Sequence, residues 1–166
     1  MSKIKRGLVV AACWANIKVT AVWSFFVNLG YWTVRGFDDR NARNEMNKLC
    51  DSLDNINDVS IYMSMFSWRK DSWRDWTPWV LTIINKELID DCDGAAVLGK
   101  FCLECIGVKA RIVHLVDTKG WRGHAICVSM DNKYLITNNH TIILSTKGDW
   151  KEDVLEFFGN KYDLVL

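Results

Sequence analysis

The hydrophobic period of this chain changes once, at Gly107, and that change narrows the folds open to it. From Cys92 to Ile106 apolar side chains recur at helical spacing: Ala95, Ala96, Leu98, Phe101, Cys102, Cys105 and Ile106. Gly107 closes that helix, because glycine takes the left-handed backbone a helix end often requires. Beyond it the pattern alternates. Ala110 to Val116 reads as a strand with Ile112, His114 and Val116 on one face. A turn over 120–123, a strand from His124 to Met130, a hairpin turn at Asp131-Asn132-Lys133 and a strand from Tyr134 to Thr137 follow, with a fourth strand over Thr141–Leu144. Helices first and antiparallel hairpins after predict an α+β domain, with N-terminal helices packed on an antiparallel sheet.

Other elements fit around this frame. Met46, Leu49, Cys50 and Leu53 are helically spaced, which predicts a helix over about 41–54. Asp54 to Asp58 reads as a turn, and Ile61–Phe66 as a strand or the end of another helix. Pro78 suits the first position of a helix running to about Leu88. Asp149 caps a closing helix that reaches Phe158, and Tyr162–Leu166 adds an edge strand. Trp68, Trp73 and Trp76 crowd one segment, pinned by its large rings.

Residues 1–36 form an apolar N-terminal segment, and 37–166 the domain proper. The opening, with Lys3, Lys5 and Arg6 before an apolar run, resembles a signal peptide, but the run before Cys13 is short and Lys18 interrupts it. Ala12, Asn16, Thr20, Ser24 and Asn28 recur every four residues. They make a small-or-polar stripe on an otherwise apolar helix, suited to close packing against a neighbour. This predicts a helix packed on the domain. A membrane anchor through residues 8–32 is the alternative, less favoured because Lys18 lies opposite the stripe. The expected location is cytoplasmic, with membrane association as the alternative.

Charge balance excludes some function classes. The 21 Lys+Arg against 20 Asp+Glu make no basic field for nucleic acid. No zinc-finger spacing, P-loop or dinucleotide fingerprint is present, and no cofactor is expected. The six cysteines, at 13, 50, 92, 102, 105 and 127, suggest no framework, so no required disulfide is expected. Cys102 and Cys105 form a C-x-x-C within a helix. With Cys92 and a histidine they offer only a weak zinc alternative.

Chemistry concentrates at Asp91-Cys92-Asp93-Gly94-Ala95-Ala96. A thiol in the first turn of a helix faces free N–H groups and the positive dipole end, which favour the thiolate. The Cys92 amide is also the first candidate donor to an oxyanion. Asp91 and Asp93 would oppose ionisation if aimed at the sulfur. His124 follows Gly123 and begins a strand beside this helix, so it is the best of three histidines for a general base. Asn138, just across the hairpin, is the candidate orienter, with Asn139 as runner-up and His140 third. The bland alternatives are a buried structural thiol at Cys92 and an ordinary strand histidine at His114.

These residues resemble the transglutaminase-like cysteine peptidase superfamily, especially its bacterial transglutaminase-like cysteine proteinase group. Asp75-Trp76-Thr77-Pro78, with Tyr62 and Trp73 before it, is similar to the segment upstream of that group's nucleophile. Asp91-Cys92-Asp93-Gly94-Ala95-Ala96 resembles its G-D-C-[DE]-x-A motif. Gly107-Val108-Lys109-Ala110-Arg111, Gly123-His124-Ala125 and Tyr134-Leu135-Ile136-Thr137-Asn138-Asn139 resemble the helix end, histidine strand and acid strand. The resemblance covers about residues 60–140. It implies a papain-like α+β fold, a Cys92–His124–Asn138 triad, and Trp76 near the substrate cleft. It also implies a cysteine-dependent hydrolase of peptide or isopeptide bonds, working on a protein or peptide substrate. A protein-glutamine acyltransferase, or an inactive interaction protein on the same fold, is the alternative. Two positions depart from the pattern: Asp90 stands where glycine is usual, and Asn138 where aspartate is.

Overall fold

Gly107 takes a φ of +77° and ends the central helix where the change of period places the boundary. The computed structural model describes residues 22–29, 39–70, 78–85, 87–119, 122–144, 149–159 and 161–165, with isolated helical positions at 11, 15 and 18. Helix α1 is described over 22–29. Then come α2 (Asp39–Asp51), α3 (Ile56–Ser64), β1 (Ser67–Trp68), α4 (Val80–Asn85), β2 (Ile89–Asp90) and α5 (Cys92–Cys105). The second half is β3 (Ala110–Asp117), β4 (Arg122–Ser129), β5 (Tyr134–Thr137), β6 (His140–Ile143), α6 (Trp150–Phe157) and β7 (Leu164–Val165). Strands β6-β5-β4-β3-β7 form one five-stranded sheet, antiparallel at every step. Helices and antiparallel sheet thus make the expected α+β architecture.

The sheet is covered on both faces. On one face α5 packs Ala95, Leu98, Cys102 and Leu103 against Ala110, Cys127 and Ile136, with α3 and α4 behind it. Gly99 allows this approach: a Cβ there would sit 2.8 Å from Ile136 Cγ2. On the other face Val113, Leu115, Ile126, Val128 and Leu135 meet Val154 of α6 and the partly buried Trp150, Phe158 and Tyr162. The strand period of two divides β4 between the faces, Cys127 going to one and Ile126 and Val128 to the other.

Local chemistry sets the boundaries. Asn55 caps α3 in a capping box with Asp58, so the turn expected over 54–58 is the start of a helix. Asp149 caps α6 as expected, accepting from Lys151 N at 3.0 Å. Helix α4 stops at Asn85, short of Leu88, because Glu87 and Leu88 adopt left-handed φ of +57° and +61°. That turn packs Leu88 against the core and frees Ile89–Asp90 to pair with β1.

The two described residues of the small-or-polar stripe, Ser24 and Asn28, face inward. Both are buried. Asn28 Oδ1 accepts from Trp79 N at 3.0 Å and from Thr82 Oγ1 at 3.2 Å, so α1 caps α4 from a distance of about fifty residues in sequence. Val22, Phe25, Phe26 and Leu29 point outward. Among the described residues no helix is long and apolar enough to cross a membrane.

One expectation is corrected. Cys50 and Cys105 form a disulfide that ties α2 to the end of α5. Their separation of 55 positions carries no spacing signal, because the contact arises only when two separate helices pack. Closing a loop of that length stabilises the fold by about 4 kcal/mol in the chain-entropy picture. Cys105 is therefore not available to a zinc set, and Cys102 is a free, fully buried thiol.

Candidate active site around Cys92

Cys92 is held at the first turn of α5 by a run of three carboxylates. Asp91 is the N-cap, in extended conformation, and its side chain accepts from Asp93 N at 3.0 Å. Asp90 ends β2, buried, and its Oδ1 accepts from Asp91 N at 2.9 Å. Its backbone is fixed from the other side, where Arg69 N donates to Asp90 O at 2.8 Å. The aspartate fits because Gly94 faces it. A Cβ at 94 would lie 2.6 Å from Asp90 Cβ. The departure at Asp90 is thus matched by the absence of a side chain one helical turn on.

The thiol reaches the rim of the sheet. Strand β4 pairs with β5 at Cys127↔Ile136 and Val128↔Leu135, so that ladder ends before Ala125. There the Ala125 backbone N–H lies near enough to Cys92 Sγ to favour the thiolate, while Sγ points its proton at Asp93 Oδ1, 3.9 Å away. The sequence expectation of a lowered thiol pKa is reversed in this resting state. Burial pushes Cys92 up to about 12 from an ordinary 9.0, the Ala125 amide pulls it down, and Asp93 and Asp91 push it up again. Desolvation outweighs the helix terminus.

His124 comes from the opposite side. Strand alternation puts it with Ile126 and Val128, on the α6 face. Its ring stacks on Tyr162 with centroids 6.0 Å apart and an interplanar angle of 14°. Phe158 meets it edge-on at 5.4 Å. Burial lowers its pKa below the usual 6.5, favouring neutral imidazole. Cys92 and His124 therefore come from the two faces of β4, with Ala125 next to His124 in the chain and near the thiol. Among the described residues no hydrogen bond joins Sγ to the imidazole.

The second nitrogen does not go to Asn138. His124 Nε2 lies 2.8 Å from Thr137 Oγ1. The reason is register: Cys127↔Ile136 pairing puts 124 and 126 on the same face as 137 and 139, and 138 on the other. Asn138 sits in the β5–β6 turn with φ +47°, its Oδ1 buried and without a hydrogen-bond partner. Asn139 and His140 are exposed. Thr137 is the residue that residue-type reasoning missed, since hydroxyls are not sought as orienters. The hairpin register puts Thr137 on the same face as His124 but diagonal to it, so counting directly opposite His124 leads to Asn139 instead.

His114 of β3 pairs with Ala125 of β4, on the α5 face, and burial lowers its pKa as well. Trp76 falls outside the described residues. Among those described, no group of three His, Cys, Asp or Glu could hold a metal ion.

No family model matches this chain, and no curated protein does. Among solved structures, Legionella pneumophila LapG in its calcium-bound form is similar over 68% of this chain and 72% of that chain, at 17% identity and a TM-score of 0.49.

Proposed function

We propose that the protein is a cysteine-dependent hydrolase of peptide or isopeptide amide bonds, with Cys92 as nucleophile and His124 as general base. The observation that carries this is the Ala125 amide. Its influence on the thiol puts Cys92, on one sheet face, near the backbone beside the histidine of the other face. The papain-like arrangement implied by the resemblance, a nucleophile on a central helix and a base on a neighbouring strand, accounts for that placement.

Sγ attacks the carbonyl carbon as its proton passes to His124. The Cys92 backbone N–H, which already favours charge on its own sulfur, is the donor for the oxyanion. His124 then protonates the departing amine, leaving an acyl-thioester that water hydrolyses. Because burial favours thiol and imidazole over the ion pair, proton transfer accompanies attack rather than preceding it. Trp76 is proposed to wall the acyl side of the cleft, and Asn138 to close the rim beside the imidazole.

The same burial supports a second reading, a binding protein that keeps the fold without turnover. Mass spectrometry separates the two. Incubation with peptide p-nitroanilides is expected to yield an acyl adduct on Cys92 and free p-nitroaniline. An unmodified Cys92 across a broad peptide pool would support the binding protein.

A further inference from the structure

We propose that Thr137 is the positioning residue of the Cys92–His124 pair, its hydroxyl holding the ring and tautomer of the imidazole that works on the thiol. This rests on the thiol-chemistry reading above and assigns that site a partner of unusual type. Thr137 ends β5, is 5% exposed, and places Oγ1 2.8 Å from Nε2. Tyr162 stacks on the ring and Phe158 meets its edge, so the imidazole is held by its faces as well as by one nitrogen. When Nε2–H donates to Oγ1, Nδ1 keeps its lone pair and is the nitrogen available as base.

The step balances on these atoms. The Sγ–H proton moves to Nδ1 as the S–C bond forms, while Nε2–H stays on Oγ1. That proton then leaves Nδ1 for the amine nitrogen as the C–N bond breaks. A hydroxyl orients the ring throughout but adds no charge, whereas a carboxylate would also stabilise the imidazolium. Thr137, Phe158, Tyr162 and the cross-strand Leu115 pack around the ring. Of these, Tyr162 is the one titratable group and none is charged near neutral pH. Asp91 and Asp93, on the thiol side, are carboxylates whose charge acts on Cys92.

The test uses the full chain with Thr137→Val, which keeps shape and removes the hydroxyl, and Thr137→Ser, which restores it. The two readouts are the His124 tautomer, from nitrogen-15 NMR of labelled histidine, and the second-order rate of Cys92 alkylation by iodoacetamide. Thr137→Val is expected to lose the single Nε2–H tautomer and to slow alkylation about tenfold, the worth of one hydrogen bond in a dry site. Thr137→Ser should return both to near the parent values. Thr137→Asp should raise the imidazole's titration midpoint and speed alkylation. An unchanged tautomer in Thr137→Val overturns the proposal. So does a rate that falls for His124→Ala but not for Thr137→Val, and this second result leaves the thiol-chemistry reading standing. A rate indifferent to both substitutions removes that reading and the proposal together.

Discussion

The two faces of the sheet are packed with different material. The face under α5 is built by close approach, with Gly94, Ala95, Ala96 and Gly99 letting the helix settle onto Asp90 and Ile136. The opposite face is filled by large rings, Trp150, Phe158 and Tyr162. The first arrangement places a helix terminus, and so the thiol, with little play. The second surrounds an imidazole with apolar surface and keeps it neutral. The candidate site lies where the two meet, where β4 continues past its paired residues with β5 to Ala125 and His124. A thiol and an imidazole can thus be brought near one point of a sheet from its opposite faces.

The comparison predicts that one face fails by addition and the other by removal. The largest effect is on chemistry: Cys92→Ala should remove acyl-thioester formation, a loss of about 10⁴-fold or more in turnover. Next is stability. Replacing both Cys50 and Cys105 by Ser should lower the unfolding free energy by up to about 4 kcal/mol in urea titration, with Cys92 still alkylated at its parent rate. On the α5 face, Gly94→Ala should cost about 1–3 kcal/mol through the clash with Asp90, and Asp90→Gly in the same chain should recover most of it. Failure of that recovery would mean the pair is not matched as described. On the ring face, Phe158→Ala should cost about 2 kcal/mol and let water reach His124, moving its titration midpoint up toward 6.5.

The smallest effect is a pH dependence. His114 and His124 both have lowered pKa values through burial, so the folded state binds fewer protons than the unfolded state near pH 6. Their contribution is present above about 6.5 and is lost as pH falls through the folded values. The urea midpoint should fall below pH 6.5, and His114→Gln should flatten that decline. A midpoint constant from pH 7 to 5 would contradict the burial of both rings.

Much of this was legible in the residues. Helix α5 shows because a fifteen-residue run with one period and a glycine stop leaves little choice. Strands β3 to β5 show because the Asp131–Lys133 turn fixes a hairpin, and Asn132 does adopt φ +58° there. The packed stripe of Ser24 and Asn28 was readable from its four-residue spacing. What escaped depends on pairing across long separations. A two-residue strand such as β1 is too short to show alternation, and the Cys50–Cys105 contact has no local trace. Thr137 escaped for another reason: its role follows from register, since a shift of one residue exchanges the faces of 137 and 138. The raised pKa of Cys92 likewise follows from how deeply the helix start is buried, which first-turn position alone does not reveal.

The central claim is that Cys92 and His124 act on one another, and the alkylation rate at Cys92 addresses it without a known substrate. Intact protein and His124→Ala are treated with iodoacetamide at pH 7.5, and the modified residue is located by peptide mapping. The rate at Cys92 is expected to fall at least tenfold in His124→Ala, with the buried Cys102 and Cys127 unmodified in both. Equal rates at Cys92 in the two proteins would contradict the pairing.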